Sequence, residues 1–565
     1  MIATRLIQAA KRPYSDELLF EAEYDCVVVG AGLAGLNTIN ILINDYGVDP
    51  MKILLLEAQS YVGGRVKQES KFVQGMKIDV GAEIIHGKHT SLAEYAKKMN
   101  EKISECFVWA QGDDGPLAEP VCGGYGVYYL KEEGQKKGTL LRFDDTEGDL
   151  AREFSNTNNI LHNLADEDES VIPESHSLEQ LLVQRGVKRC EEEETLMSKL
   201  VHAGFSNTMC TNNKDMSLRG MVAWKRLWDL EEGDDGDFRF QNSYGVLVDH
   251  LYGACKQVPT ALHCCVDRVR HGQQAGRVGL DVRRKKKMVA GDNTDDNWGQ
   301  THSVTAKCAV VTAPVAVLAM GRIAFEPPLS PKDELALFRG RNMHPATKLL
   351  LRFSRRCWPA KLHGTIMAGD GVLIPEAWFK EDKGGSARCV ATGFLTAEYA
   401  TNLEAAAAAR LGVESSAPAV SPTVEQEMCC IFLEQLDEVF SLLEPKHMSA
   451  AVASDWGQEQ YLAGSPGAEE ELPGDLPKPS SVFVAGMVYR WAHDTHPFIG
   501  GGYSSVKAGT ACIPGSSGAS VLTQGLHGVF FAGEGTSTPG STAHCALDTG
   551  HRAAAQVKGH LSKYC

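Results

Sequence analysis

The residues best suited to chemistry begin near the start of the chain. Gly30-Ala31-Gly32-Leu33-Ala34-Gly35 follows directly on Asp25-Cys26-Val27-Val28-Val29. A short, β-branched apolar run of that kind predicts a fully buried parallel strand. Leu36 to Leu42 predicts a helix, and Lys52-Ile53-Leu54-Leu55-Leu56 a second strand that ends on Glu57. In this strand–helix–strand setting each glycine has its own use. Gly30 makes the tight turn, Gly32 lets the backbone approach a pyrophosphate, and Gly35 lets helix and strand pack closely. The helix N-terminus offers free N–H groups and a partial positive charge to phosphate. Glu57, 22 residues after the last glycine, can accept a hydrogen bond from a ribose hydroxyl. The chemistry predicted is dinucleotide binding.

Later residues favour FAD over NAD. Glu57-Ala58 is followed by Gly63-Gly64-Arg65 and then by Asp79-Val80-Gly81-Ala82-Glu83-Ile84. Glycines beside a guanidinium can bring backbone and positive charge against phosphates and a flavin edge. Far along the chain, the apolar run Gly528 to Ala532 leads into Gly533-Glu534, and Ser541-Thr542-Ala543 opens a predicted helix through Arg552. A helix start there would stabilise negative charge at the pyrimidine end of a reduced flavin.

As a set, these pieces resemble the flavin-containing amine oxidase family, which includes monoamine and polyamine oxidases and the flavin histone demethylases. The matching stretches run from Tyr24 to Gly87, from about Tyr244 to Phe353, and from Arg490 to His560. Ile85-His86-Gly87 resembles polyamine oxidases more than monoamine oxidases. The resemblance implies an α/β fold. A Rossmann-like, glutathione-reductase-like FAD domain is assembled from residues 20–100, 242–340 and 482–565. An α+β substrate domain comes from 101–241 and 341–481. It also implies that Gly30, Gly32, Leu33, Ala34, Gly35, Glu57 and Ala58 hold the ADP half of FAD. Gly63, Gly64, Arg65, Gly81, Ala82, Glu83 and Ile84 line the cofactor further on. Val266 meets the adenine through its backbone, Gly533 and Glu534 meet the ribityl chain, and Thr542 and Ala543 start the helix beneath the flavin. Some family members carry a flavin-linked cysteine where this chain has Gly502, so the FAD is expected to be noncovalent.

The same resemblance assigns the catalytic face. Lys348, in Pro345-Ala346-Thr347-Lys348-Leu349-Leu350, matches the lysine that holds a water against the flavin. Trp491 and Tyr503 match aromatic walls around the amine; such walls attract cations and exclude water. His86 could steer or deprotonate a substrate amine. The expected reaction is oxidation of a polyamine or another primary or secondary amine by oxygen, through an imine, with release of hydrogen peroxide. An L-amino-acid oxidase or a desaturase-type flavin enzyme of the same fold is the nearest alternative. An FAD-holding scaffold that binds a protein tail is the alternative outside oxidase chemistry.

Composition bounds these readings. The 565 residues carry a net charge of −16, a poor match to nucleic-acid binding, which needs a basic footprint. No apolar run reaches the roughly 18–20 residues of a membrane span. The 16 cysteines show no zinc-like spacing and read as buried, reduced thiols of an intracellular, cytoplasmic protein. The basic Met1–Arg12 segment is compatible with organelle targeting. No metal is expected, the partners are the amine and oxygen, and the oligomeric state is left open.

Overall fold

The computed structural model describes residues 16–87, 90–107, 125–142, 145, 147–168, 170–229, 237–272, 276–285, 298–359, 362–381, 388–413, 420–443, 476–509, 520–537 and 540–563. Two large sheets organise it. In the first, the apolar strands Tyr24–Val29 and Ile53–Leu56 run parallel. The other edge of Tyr24–Val29 pairs in parallel with the end of a long strand, Trp298–Val311, which itself pairs with Val529–Phe531. The register brings Leu56, Val29, Val311 and Phe531 into one row. The carboxyl ends of four strands from distant parts of the chain therefore open at one place, where doubly wound sheets bind ligands.

The first half of Trp298–Val311 makes an antiparallel hairpin with Val278–Lys285. The tip of this hairpin lies outside the described residues. Cys264–Arg270 adds to the same hairpin.

Two helices cover the parallel strands and tie the chain ends together. Leu33–Asn44 packs against Ala543–Leu561. Asn37 Nδ2 donates to the Leu547 carbonyl at 2.7 Å, and Thr38 Oγ1 to the Gly550 carbonyl at 3.1 Å. The contact depends on Gly550, where a Cβ would lie 2.6 Å from the Ala34 carbonyl oxygen.

The second sheet has the order Phe483–Trp491, Ala346–Phe353, Cys389–Thr396, Glu376–Glu381, Leu362–Gly369, Tyr125–Lys131, Thr139–Leu141. One face buries Leu349, Leu351 and Ala391 against the helices Ala397–Leu411 and Pro422–Phe440. Alternation then turns Lys348, Phe394 and Glu376 to the opposite face. The segment Phe483–Trp491 departs from the expected division at residue 482. It pairs along Ala346–Phe353 in this second sheet, because Phe483 and Val488 complete the apolar layer over Leu349 and Leu351.

A small sheet of Ile85–His86, Asp237–Phe240 and Ile103–Phe107 sets His86 opposite Asp237. Cys26, Cys210, Cys255, Cys264, Cys265, Cys308, Cys357, Cys389, Cys429 and Cys545 are buried free thiols, Cys430 is partly buried and Cys190 exposed. Among the same residues no helix is long and apolar enough to cross a membrane.

Candidate active site

At the row of strand ends, the backbone forms a cradle. Gly30 turns with φ 106°, and a Cβ there would meet Thr312 Oγ1 at 2.4 Å. A Cβ on Gly35 would sit 2.0 Å from the Gly30 carbonyl oxygen. Gly32 differs: nothing lies within 4 Å of where its Cβ would point. Gly64, with φ 58°, comes up beside it, and the Gly63 N–H donates to the Ala31 carbonyl at 2.8 Å. The helix that starts here has buried first residues, Leu33 and Ala34, and no side-chain cap. A buried helix start without a side-chain cap leaves N–H groups that a ligand can satisfy; phosphate suits them. The cradle therefore fits the diphosphate of a dinucleotide.

Glu57 is buried beside this loop. Its carboxylate accepts from the Ala31 N–H at 2.7 Å and from the Gln59 N–H at 2.7 Å. Burial pushes its carboxyl above the ordinary range, opposed by those N–H groups. Glu57 thus shapes the glycine loop. Ala58 beside it is half-buried. Val266 lies in Cys264–Arg270, which the strand Ala324–Glu326 pairs only from Arg268 onward. Among the described residues the outer backbone edge of Val266 has no strand partner.

Arg65 and Glu534, expected as separate cofactor contacts, form an ion pair at 2.7 Å. Arg65 also donates to the Gly502 carbonyl at 2.9 Å. The second oxygen of Glu534 accepts from Ser504 Oγ at 2.6 Å and from the Ser541 N–H at 3.2 Å. Burial alone would raise this carboxyl, but Arg65 and Ser504 hold it below the ordinary range. Gly533 begins this turn with φ 127°. Ser541 is held at φ 71°, an unfavourable geometry costing about 1–3 kcal/mol, by its bond to Glu534. The next residue, Thr542, caps the helix Ala543–Leu561 by accepting from the Cys545 N–H. A helix therefore starts at Ala543, as the sequence predicts. No side chain fits at Gly502, where a Cβ would lie 2.7 Å from Ala346 Cβ and 2.9 Å from Cys210 Sγ. A cysteine cannot stand there.

Lys348 is buried, and its three N–H donors are all engaged. They go to the Asp79 carbonyl at 2.9 Å, the Gly81 carbonyl at 2.9 Å and Glu83 at 2.7 Å. The ammonium thereby clamps the segment 79–83. Gly81 is obligatory in that segment, since a Cβ would lie 1.9 Å from the Arg65 carbonyl oxygen. The Ala82 N–H donates to the same oxygen at 3.2 Å. The other oxygen of Glu83 meets Arg239 at 3.1 Å. Burial works to raise the Glu83 carboxyl, yet Lys348 and Arg239 bring it down to about 2. Asp79 is raised to about 7 by burial and by Glu83. Glu83 is thus an ion-pair partner, and Ile84 beside it packs on Trp378, as does Phe394.

Trp491 donates its indole N–H to the Val80 carbonyl at 2.7 Å and stacks on His496 at 4.7 Å. Tyr503 donates its hydroxyl to the Thr208 carbonyl. His86 Nδ1 lies 2.6 Å from Asp237. Burial works to lower the His86 pKa, but Asp237 and Glu376 carry it above the ordinary value.

The structure adds residues that the motifs did not reveal. Direct strand partners place Tyr489, Lys348, Phe394 and Glu376 in one row across the second sheet. Trp378 lies beneath Lys348, with its ring 5.1 Å from Nζ. Asn207 and Thr208 reach Glu376 at 3.4 and 3.5 Å, so one turn touches both Tyr503 and Glu376. The only sequence signal for Glu376 was a lone acid in the run Ile374-Pro375-Glu376-Ala377-Trp378-Phe379. Among the described residues no group of three or more His, Cys, Asp or Glu side chains is placed to hold a metal ion.

Solved structures share the fold. A cyclohexylamine oxidase from Brevibacterium oxydans IH-35A superposes with a TM-score of 0.64 at 17% identity, over 96% of this chain and all of that one. A putrescine oxidase bound to putrescine gives 0.63 at 14% identity, over 95% and 99%. Among curated relatives, an L-amino-acid oxidase of Naja atra is 25% identical over 60% of this chain and 60% of its own length. Lysine-specific histone demethylase 1B of Mus musculus is 24% identical over 90% of this chain and 50% of its own length. The chain thus matches half to three-fifths of the length of these two relatives. The family model described as flavin containing amine oxidoreductase matches residues 44–558, and the chain belongs to that family.

Proposed function

We propose that this chain oxidises an amine with FAD as the electron acceptor and oxygen as the final oxidant. A carbon–hydrogen bond beside the nitrogen breaks, and the imine formed is hydrolysed to an aldehyde or ketone. Oxygen is reduced to hydrogen peroxide. FAD, when bound, supplies the acceptor for the hydride and passes two electrons to oxygen. Residues 20–100, 242–340 and the segment after Trp491 would hold it: Gly32 and Gly64 against the diphosphate, Glu57 at the ribose, and Arg65 with Glu534 and the Thr542–Ala543 helix start further along.

One observation carries this reading. The phosphate cradle and the Lys348 clamp are joined through the short segment 79–83, and the row beyond Lys348 is aromatic and ends in an acid. Trp378, Phe394 and Tyr503 exclude water and disfavour an ammonium at the reacting nitrogen, which must be neutral to release hydride. Lys348, paired with Glu83, stands beside that place. His86 with Asp237 offers a proton acceptor at the rim.

An amino-acid substrate would need a free cation for its carboxylate. Arg239 is engaged by Glu83, Lys348 by Glu83, and Arg65 by Glu534. A peroxide assay across amines and amino acids tests the reading. Amines should give peroxide at a rate that rises from mildly acidic to mildly alkaline pH, as more substrate loses its proton. Peroxide from amino acids alone would overturn it.

A further inference from the structure

We propose that Lys67 is a carbonyl-capture site: its side-chain nitrogen condenses with an aldehyde to form an iminium held between Tyr61 and Tyr489. The source of that aldehyde rests on the amine-oxidase reading above; the site itself does not.

Lys67 is held unlike other lysines withdrawn from solvent. Lys348 faces Glu83, Lys188 faces Glu179 and Glu194, and Lys131 faces Glu438. Among the described residues no carboxylate lies within ion-pair distance of the Lys67 ammonium, and no hydrogen bond engages it. It stands instead over two aromatic rings, 4.5 Å from the centre of Tyr61 and 5.3 Å from that of Tyr489. Both hydroxyls are buried without hydrogen-bond partners, and burial drives both phenols above their ordinary range. The rings therefore stay neutral. The other titratable groups near the ammonium are Glu69 and His496. Burial lowers the Lys67 pKa, opposed by Glu69. His496 is lowered to about 4 by burial and by Lys67, so it is uncharged at neutral pH. Lys67 is half-buried, so its nitrogen is sheltered without being sealed in.

The sandwich adjoins the aromatic wall of the amine site. Tyr489 is the strand partner of Lys348, and its ring lies 5.2 Å from that of Trp491. The Lys67 carbonyl accepts from the Val80 N–H at 3.0 Å, and the Val80 carbonyl accepts from Trp491. An aldehyde formed at that wall has a desolvated amine without a counter-ion as its neighbour. Desolvation in an apolar setting is what makes a lysine a nucleophile toward carbonyls.

The condensation needs no oxidant. The neutral nitrogen adds to the carbonyl carbon, forming a C–N bond. The carbonyl oxygen leaves as water, taking one proton from the nitrogen and one from solvent. The nitrogen keeps one proton and a positive charge, so the cation–π contact that held the ammonium also holds the iminium. The two rings shield the C=N bond from hydrolysis.

The test incubates the FAD-loaded protein at pH 8 with butanal and cyanoborohydride, which reduces an iminium to a stable secondary amine. Peptide mass spectrometry locates the adducts. Lys67 is expected to be labelled about tenfold faster than the exposed Lys256, because more of its amine is neutral at that pH. Lys67→Arg keeps a cation over the rings and should bind FAD and lose this adduct. Labelling of Lys67 no faster than that of Lys256 overturns the inference, whatever amines do to the flavin. In a second arm, an amine that bleaches the flavin replaces butanal. The Lys67 adduct should then grow with the peroxide released, and peroxide without the adduct overturns capture of the product. Capture of butanal by a protein whose flavin no amine bleaches supports the site while overturning the amine-oxidase reading.

Discussion

Replacing Lys348 by methionine is expected to destabilise the fold by about 3 kcal/mol, the usual penalty for removing one partner of a buried ion pair. The substitution fills nearly the same volume, so packing is a minor part. What is lost is the cation that faces two buried carboxyl groups and two carbonyls. The pH profile identifies the cause. Glu83 titrates near 2 in the fold against an ordinary 4.5. Its stabilisation is therefore complete above pH 4.5 and is lost as pH falls toward 2. Asp79 is raised from 3.8 to about 7, so it opposes folding increasingly as pH rises across that interval. Without Lys348, the Glu83 carboxyl loses its strongest counter-charge and the acid-side loss shrinks. The Asp79 penalty extends beyond pH 7. Thermal midpoints measured across pH for both proteins check this, and parallel profiles with equal midpoints would show that Lys348 is not the clamp described.

Substituting Gly32 by alanine should lower FAD affinity at least about 100-fold while leaving the apoprotein nearly unchanged in stability. Gly32 has φ −77°, which alanine adopts freely, and its missing Cβ points into open space. The small loss of capping preference is offset by the reduced entropy of the unfolded chain. The penalty falls on whatever occupies that space, and in this account it is the diphosphate. Gly35→Ala is the contrasting case. Its Cβ meets a backbone oxygen at 2.0 Å, so it should damage the fold with or without cofactor. FAD titrations and thermal melts of the two apoproteins separate these outcomes. A Gly32→Ala protein that binds FAD as tightly as wild type would move the diphosphate elsewhere.

What could be read from the sequence was the chemistry of short segments. Gly30, Gly32, Gly35 and Glu57 announce a cradle because turn, helix start and strand end are adjacent in the chain. The helix start at Ala543 was legible for the same reason, in its Ser541-Thr542 cap. What escaped was chemistry created by strand pairing. Lys348, Phe394 and Glu376 become neighbours only through register between strands tens of residues apart, and no local pattern states that register. The same limit applies to Phe483–Trp491, expected among the FAD-binding segments, whose pairing along Ala346–Phe353 no local pattern states. Arg65 and Glu534 were each singled out, but their pairing spans 469 residues and needed the folded chain. Lys348 was read through the family resemblance, which does not name the two carbonyls and the carboxylate that surround it.

The most direct measurement is anaerobic mixing of the purified, FAD-loaded protein with amines, followed by admission of oxygen. The account predicts a yellow protein whose flavin absorbance bleaches on mixing and returns with oxygen as peroxide appears. A preparation that stays colourless after incubation with FAD, or one whose absorbance no amine alters, would contradict it.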